Sequence, residues 1–304
     1  MSLKNLKILF CFTIAFFEIL PFSAAAGAQD IKFNSGINVG TIQTDLIQEA
    51  SGIIASRKNE SVLWVHNDSG NSAKLYAINP AGELLGVFII KDARCRDWED
   101  IAIGPGPDKN SDYLYIGDIG DNAGEYPSIT VYCIPEPIID SNSYDIEIET
   151  EPAAAIELVY PDKPQDAETL LVDPLNRDIY IISKRDLFSR VYCAPYPQST
   201  DKPAKMVLMA MLPWGLAVGG DVSPDGRLVI VRGLTSASIW RRPEGEPLWR
   251  AFIQEYSTIE LMPEPQGEAI CFDTNNLGFF TVSEKPHQPI YYYPSLDSLK
   301  DSLK

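Results

Sequence analysis

Short apolar runs, bounded by turn-forming residues, recur along nearly the whole chain. The runs are rich in Val, Ile, Tyr and Phe, and Gly, Pro, Asn and Asp separate them. The 3.6-residue apolar period that marks amphipathic helices is nearly absent after residue 28. The pattern therefore predicts an all-β protein, and internal repetition decides among a sandwich, a barrel and a propeller.

Five segments of similar sequence open five repeated units, and a second and a third apolar run follow each of them. The aligned positions are 47 to 69 residues apart, and a spacing of roughly 40 to 50 residues is typical of a four-stranded propeller blade. The longest interval contains an acidic segment, Ile138–Pro164, with the character of an insertion. We predict a five-bladed β-propeller, with a six-bladed ring as the alternative. The aligned positions are Ser51, Glu99, Glu168, Asp221 and Glu268.

A fourth strand is predicted for only four of the five units, because the fifth unit ends at Pro294 and residues 295–304 form a polar tail. The N-terminal segment Ile37–Leu46 is the simplest source of the missing strand, so we expect it to close the ring. The predicted fourth strands are Glu83–Ile90, Ala153–Tyr160, Lys205–Leu212 and Leu248–Gln254.

Residues 1–28 have the three zones of a secretory signal: two lysines, an apolar run from Ile8 to Phe22, and small residues up to Ala28. The alternative is an N-terminal membrane anchor, but the uninterrupted apolar length is short of the roughly 20 residues that a spanning helix needs. We therefore predict a secreted or periplasmic protein whose propeller domain covers residues 29–294, and no later segment of the sequence is apolar enough to span a membrane.

The net charge of the chain excludes one class of partner and favours another. With 25 basic and 42 acidic residues the net charge is −17, which opposes nucleic-acid binding and favours cations. The four cysteines after the signal are widely spaced and form no Cys-x-x-Cys motif, so we expect free, mostly buried thiols instead of disulfides or metal ligands. These cysteines are Cys95, Cys133, Cys193 and Cys271.

The five aligned residues predict a cation site. In a propeller the first strands line the channel, and their starts share one end of it with the ends of the second strands. Acids two residues before the aligned positions, namely Glu49, Asp97 and Asp166, point the same way because strand side chains alternate. Up to seven carboxylates then surround one opening, and Ca²⁺, which takes six to eight oxygen ligands in irregular geometry, resolves their repulsion. The alternative is that the acids only cap strand ends or pair with nearby bases. The predicted ligands are Ser51, Glu99, Glu168, Asp221 and Glu268.

The second-strand ends add further polar residues to this opening. They offer carboxylates and amides on two blades and bases on the other three, an arrangement suited either to holding an anionic ligand or to neutralising the acids. Trp98 and Trp214 are candidates for a stacking platform, with packing between blades as the alternative. The predicted ligand-binding residues are Asn67, Asp68, Asn122, Lys184, Arg185, Arg232 and Trp98.

No known nucleophile motif occurs, but the many polar residues at this opening favour an enzyme, so an enzymatic role stays open. The candidate general acids or bases are Asp118, Asp121, Glu284 and His66, with His287 as a weaker one.

Several strings of the sequence resemble those of uncharacterised exported bacterial β-propeller proteins over most of the chain after the signal. They are Glu-Ala-Ser-Gly-Ile (49–53), Asn-Asp-Ser-Gly (67–70), Asp-Trp-Glu-Asp-Ile-Ala (97–102), Gly-Asp-Ile-Gly-Asp-Asn (117–122) and Asp-Ala-Glu-Thr-Leu (166–170). That resemblance implies a fold and export but no activity. More distantly, the ring of Ser and Glu is similar in position to the calcium site of the calcium-activated nucleotidases, which are five-bladed propellers. Asp221 departs from their pattern, and the likeness implies a cation more than a nucleotide substrate.

Three functions follow as competing hypotheses. The first is an exported calcium-containing propeller that binds a small or polymeric ligand at the channel mouth without turnover. The second is a calcium-dependent hydrolase of a phosphate or other ester that uses the same mouth. The third is a structural or protein-interaction propeller whose acids serve only stability. The fold alone does not choose among them.

Overall fold

Five antiparallel sheets are arranged around one axis, and the first strand of each sheet contacts the first strands of its two neighbours, so that the contacts close a ring. This is a computed structural model, which describes residues 31–108, 111–140 and 147–296. The all-β prediction and the five-blade count are confirmed, and the six-bladed alternative is wrong. The predicted signal segment and most of the polar tail lie outside the described residues.

The first two blades each have four core strands, arranged as an antiparallel meander from the channel outwards. In each, the innermost strand is buried along nearly its whole length because it packs between neighbouring blades. Blade 1 consists of β2 (Ala50–Ala55), β3 (Leu63–Asn67), β4 (Lys74–Ile78) and β5 (Leu84–Ile89), and blade 2 of β6 (Trp98–Pro105), β7 (Asp112–Asp118), β8 (Ile129–Pro135) and β10 (Ala154–Val159).

The third and fourth blades repeat this arrangement. Blade 3 consists of β11 (Ala167–Val172), β12 (Ile179–Ser183), β13 (Arg190–Ala194) and β15 (Val207–Met211), and blade 4 of β16 (Gly219–Val222), β17 (Leu228–Arg232), β18 (Ser236–Arg241) and β19 (Tyr256–Glu260).

Blade 5 joins the two ends of the chain. Its inner strands are β20 (Gly267–Phe272), β21 (Gly278–Ser283) and β22 (Pro289–Pro294), and its outer strand is β1 (Ile37–Thr41). β1 pairs antiparallel with β22, and a bulge lies between Asn38 and Gly40. The predicted closure by an N-terminal strand is therefore confirmed, although the strand ends at Thr41 instead of Leu46.

The fourth strand predicted for blade 4 is wrong. Leu248–Ile253 forms a 3₁₀ helix, and the strand is β19, which follows it. The helix begins after Pro247 and buries Leu248, Ala251 and Phe252, spaced three and four residues apart, so the segment has a helical face. Phe252 packs against Trp240 with ring centroids 5.4 Å apart.

Two short strands extend the outer edges of blades 1 and 2. β9 (Glu147–Glu149) lies parallel to β5, and β14 (Ala204–Lys205) lies parallel to β10. The acidic insertion-like segment thus supplies both β9 and β10.

The core lies between the blades, where buried Val, Ile, Leu and aromatic side chains of neighbouring sheets meet. Trp64, Trp98 and Trp240 are the largest fully buried side chains of the described residues. The four cysteines are free, and all but Cys95 are buried, as expected. Among the described residues, no helix has the length and apolar character needed to cross a membrane.

Candidate metal centre at the channel mouth

A β-bulge places the predicted site residues at the start of the first strands. In four blades the pairing of the first strand with the second shifts by one residue, and the residue inside the shift is Ser51, Glu99, Glu168 or Glu268. A bulged residue is left out of the regular ladder and can be redirected. We call the end of the channel where these first strands begin the mouth.

The structure places Asp221 apart from these four residues. Val222 pairs with Val229 in blade 4 as Val172 pairs with Ile179 in blade 3, so Asp221 aligns with Leu171, three residues beyond Glu168. The register that the sequence suggested for Asp221 is therefore off by three residues. Its carboxylate accepts hydrogen bonds from the N–H groups of Val222 (2.7 Å) and Phe272 (2.8 Å), which link blades 4 and 5. Burial raises the pKa of Asp221 to about 7.

Asp100 has a similar linking role, which the sequence analysis missed. Its Oδ1 accepts the N–H of Ile101 at 2.9 Å, and its Oδ2 accepts the N–H groups of Leu170 at 2.9 Å and Gly220 at 3.3 Å. One fully buried carboxylate thus joins blades 2, 3 and 4, and burial raises its pKa well above the ordinary value. The sequence offered one signal for this role, which is that Asp100 is a second acid directly after Glu99.

Three carboxylates gather on the side of the mouth formed by blades 1 and 2. One oxygen each from Asp68, Asp97 and Glu99 lies within 4.8 Å of the other two, and we call these residues the acidic triad. Asp68 follows β3, Asp97 precedes β6, and Glu99 is the bulged residue of β6. The set differs from the predicted one, since only Glu99 belongs to both.

Local packing explains why these carboxylates approach one another. The backbone N–H of Asp97 donates to Asp118 Oδ1 at 2.7 Å, and the Ser51 hydroxyl donates to the Glu99 carbonyl at 2.6 Å. Gly120 leaves room for the triad, since a Cβ there would lie 2.2 Å from Glu99 Oε1 and 2.4 Å from Asp97 Oδ2.

The Glu99 carboxylate has no direct basic partner among the described residues, although Lys184 and Arg185 interact with it at longer range, and Arg96 acts against the effect of burial on the pKa of Asp97. Glu99 is only 4% exposed, and none of the described residues donates a hydrogen bond to its carboxylate. Burial, reinforced by the carboxylates of Glu168 and Asp68, raises the pKa of Glu99 well above its usual range. Burial likewise raises the pKa of Asp68 to about 6. A buried carboxylate without a partner is costly, and a bound cation removes that cost.

The other side of the mouth contains its own base. Lys184 pairs with Glu168 Oε1, and its Nζ lies 3.8 Å from Glu268 Oε1. Burial still raises the pKa of Glu168 to about 8, against the effect of Lys184, and Glu168 Oε2 is buried without a partner. On one side of the mouth Lys184 thus contacts Glu168 and Glu268 directly, whereas on the other side, at the triad, it interacts with Glu99 only at longer range.

Glu284 differs from the other carboxylate candidates in its partner, because its side chain is hydrogen-bonded to the side chain of Glu268, another acid of the mouth, instead of to backbone N–H groups. It is buried, and burial together with Glu268 raises its pKa to about 8. By contrast, Asp118 accepts the Asp97 N–H, and Asp121 accepts the N–H groups of Glu125 and Tyr126 at 2.9 and 2.8 Å.

Neither histidine is a free side chain at the mouth: His66 is buried, and His287 has polar contacts in the loop after β1. His66 is fully buried, its Nδ1 lies 3.0 Å from the Asn67 carbonyl, and burial lowers its pKa to about 4. Its ring packs edge-on against Trp98. His287 contacts the Ile42 carbonyl and Asp45, both at 3.0 Å.

The remaining ligand-binding candidates are engaged in the fold. Asn67 Oδ1 accepts the N–H groups of Gln48 and Glu49 at 3.0 and 3.1 Å. Arg185 pairs with Asp166 at 2.5 Å and contacts Asn122, which ties the loops of blades 2 and 3 together.

Three larger side chains pack inside the structure. Arg232 is fully buried, pairs with Glu264 at 2.7 Å and donates to the Ala269 carbonyl at 3.0 Å. Trp98 is fully buried and donates to the Arg94 carbonyl at 2.8 Å. Trp214 stacks on Trp240 with ring centroids 6.5 Å apart.

Fold and site together define a five-bladed β-propeller with an acidic channel mouth. Searches with protein-family models and against curated proteins found no match. Among solved structures, hydrazine synthase of Kuenenia stuttgartiensis has a related shape, with a TM-score of 0.43 and 10% sequence identity over 80% of this chain and 94% of that one. A likeness at this level supports no functional argument.

Proposed function

We propose that this protein is a β-propeller that binds a divalent cation, Ca²⁺ in the first place, at the acidic triad of its channel mouth. The observation that carries the proposal is the buried Glu99 carboxylate, which has no hydrogen-bond donor among the described residues and lies beside Asp68 and Asp97. Export of the protein rests on the sequence of residues 1–28 and remains part of the proposal.

The donor set favours calcium over other common ions. All three triad side chains offer oxygen, and the ligand atoms spread over as much as 4.8 Å, which suits an ion with metal–oxygen distances of about 2.3 to 2.6 Å and flexible geometry. Mg²⁺ demands stricter octahedral geometry, and Zn²⁺ prefers nitrogen and sulfur ligands.

Three carboxylates leave coordination positions for a ligand. Even when some of them bind through both oxygens, a calcium ion with six to eight ligands has room for water or for oxygens of a bound molecule. We propose that the cation in this way holds a small or polymeric ligand at the mouth.

Calorimetric titration of the protein with calcium tests the site. We expect saturable binding to the unaltered chain and a loss of affinity of at least tenfold in Asp97→Asn, because one charged ligand is replaced by a neutral amide. Asp201→Asn, which removes the same charge from an exposed position, is the matched control and should bind as the unaltered chain does.

A titration without heat, or equal loss of affinity in both variants, would overturn the calcium site. Melting curves with and without a chelator give a second measurement, since a ligand that binds only the folded state raises the melting temperature.

A calcium-dependent hydrolase is the second candidate, and Glu284 favours it. A buried carboxyl with a pKa of about 8 at the mouth has the properties of a general base or acid near neutral pH. Incubation of the calcium-loaded protein with nucleotides, phosphate monoesters, lactones and aryl glycosides tests this activity.

A further inference from the structure

Large apolar side chains are exposed on the mouth side of blades 3 and 4. Leu187 is 87% exposed and Phe188, Leu216 and Leu234 are each about half exposed. We call these four residues the apolar rim. Leu187 and Phe188 lie in the loop between β12 and β13, Leu216 lies before β16, and Leu234 lies between β17 and β18.

Backbone contacts hold the loops of the rim together. The Leu216 N–H donates to the Lys184 carbonyl at 3.0 Å, and the Ser189 N–H donates to the Trp214 carbonyl at 2.9 Å. Gly215 packs so closely that a Cβ there would lie 2.1 Å from the Asp186 carbonyl oxygen. The rim is thus a packed surface that presents its apolar side chains to solvent.

The rim is adjacent to the acids of the mouth. Lys184, whose carbonyl accepts the Leu216 N–H, extends its ammonium group to Glu168 and towards Glu268. The acidic triad lies on blades 1 and 2 and the rim on blades 3 and 4 of the same face. One face therefore combines a candidate cation site with protruding Leu and Phe side chains.

Phospholipid matches both halves of this face. Exposed Leu and Phe side chains bind a bilayer by entering the boundary between headgroups and acyl chains, roughly 5 to 10 Å deep. A net charge of −17 opposes approach to an anionic bilayer, but calcium at the triad offsets most of the local negative charge and offers free coordination positions for phosphate oxygens.

We propose that the mouth face docks on an anionic phospholipid bilayer when calcium is bound, with lipid phosphate on the cation and the apolar rim in the interface. This inference rests on the calcium site proposed above.

Flotation of the full chain with lipid vesicles tests the docking. The vesicles are phosphatidylcholine alone or phosphatidylcholine mixed with phosphatidylglycerol, each with calcium or with a chelator. We expect binding to the mixed vesicles in calcium and at least a tenfold lower bound fraction in the chelator.

A pair of double variants distinguishes the rim from general surface apolarity. Leu187→Asp with Phe188→Asp should abolish flotation and leave the calcium titration unchanged. Val207→Asp with Leu208→Asp alters a comparably exposed apolar pair on the outer strand of the same blade and should float like the unaltered chain.

Each other outcome overturns the docking. Calcium binding by calorimetry without vesicle binding leaves the cation site in place and overturns the docking. If the calorimetric titration with calcium gives no heat of binding, both the calcium site and the docking on the bilayer are overturned. Equal vesicle binding in calcium and in the chelator would show that bound calcium does not determine the docking. Equal loss of binding in the two double variants would show that the rim does not determine it.

Discussion

At the scale of single residues, one extra residue in four of the five first strands helps to shape the acidic mouth. The bulges at Ser51, Glu99, Glu168 and Glu268 take these side chains out of the regular alternation of their strands. Three of the four are acids in a buried setting, so the mouth gathers negative charge that Lys184, Arg185 and Arg96 balance only in part.

Asp100 and Asp221 show a second use of buried acids, as acceptors for backbone N–H groups of neighbouring blades. Asp100→Asn should lower the free energy of unfolding by about 1 to 3 kcal/mol, since an amide keeps one acceptor oxygen and leaves a buried N–H group unpaired. Asp221→Asn should cost less, because Asp221 accepts two N–H groups and Asp100 accepts three. Urea unfolding of both variants measures the difference, and a stability of Asp100→Asn equal to that of the unaltered chain would contradict the role given to Asp100.

At the scale of strands, apolar runs were reliable guides wherever a run alternated or lay wholly buried. They located the first three strands of each blade and the outer strands β5, β10 and β15. The sequence misled at Leu248–Ile253, because a buried 3₁₀ turn and a short strand both present a brief apolar run. It also misled at Asp221, because the two glycines before it obscured the register.

The contact between β1 and the hairpin of blade 1 depends on a glycine. A Cβ on Gly40 would lie 2.3 Å from the Pro80 carbonyl oxygen and 2.5 Å from the Ala81 backbone, so Gly40→Ala should displace β1 and cost about 1 to 3 kcal/mol. Gly233→Ala is the control, because the nearest atom to its Cβ would lie at 3.5 Å, an ordinary contact. Thermal unfolding of the two variants should differ clearly, and equal melting temperatures would show that β1 adjusts without loss.

At the scale of the whole molecule, the repeat predicted the ring and the end of the channel where polar residues meet. It could not predict which acids are neutralised, because Lys184 pairs with Glu168 of its own blade and also approaches Glu268 of blade 5. Nor could it show that Asp68 and Asp97 join Glu99, since this depends on loop geometry at second-strand ends and at Gly120.

The buried acids of the mouth should make the cation-free protein less stable as pH rises. Glu168 and Glu284 have pKa values of about 8 in the folded chain and ordinary values near 4.5 when unfolded, so the folded state holds more protons between these limits. Stability is therefore lost as pH rises through about 8. His66 acts in the opposite direction only below its ordinary value of 6.5.

The urea concentration at the midpoint of unfolding, measured in a chelator, should thus be lower at about pH 8.5 than at about pH 6.5. In Glu284→Gln the difference between the two pH values should be smaller. Equal midpoints for the unaltered chain at the two pH values would contradict the assignment of buried, titrating acids to the mouth.

The pairing of β1 with β22 has a consequence for biosynthesis. Residues 37–41 are synthesised before every other strand of the propeller, yet the strand that they pair with ends at Pro294, so β1 must wait for the rest of the propeller. Blades 1 to 4 can form their hairpins from neighbouring residues, whereas the final sheet needs β22 before β1 can join it. Closure of the ring is consequently a late event in the folding of the propeller, and any factor that holds the early segment extended until then acts on that step.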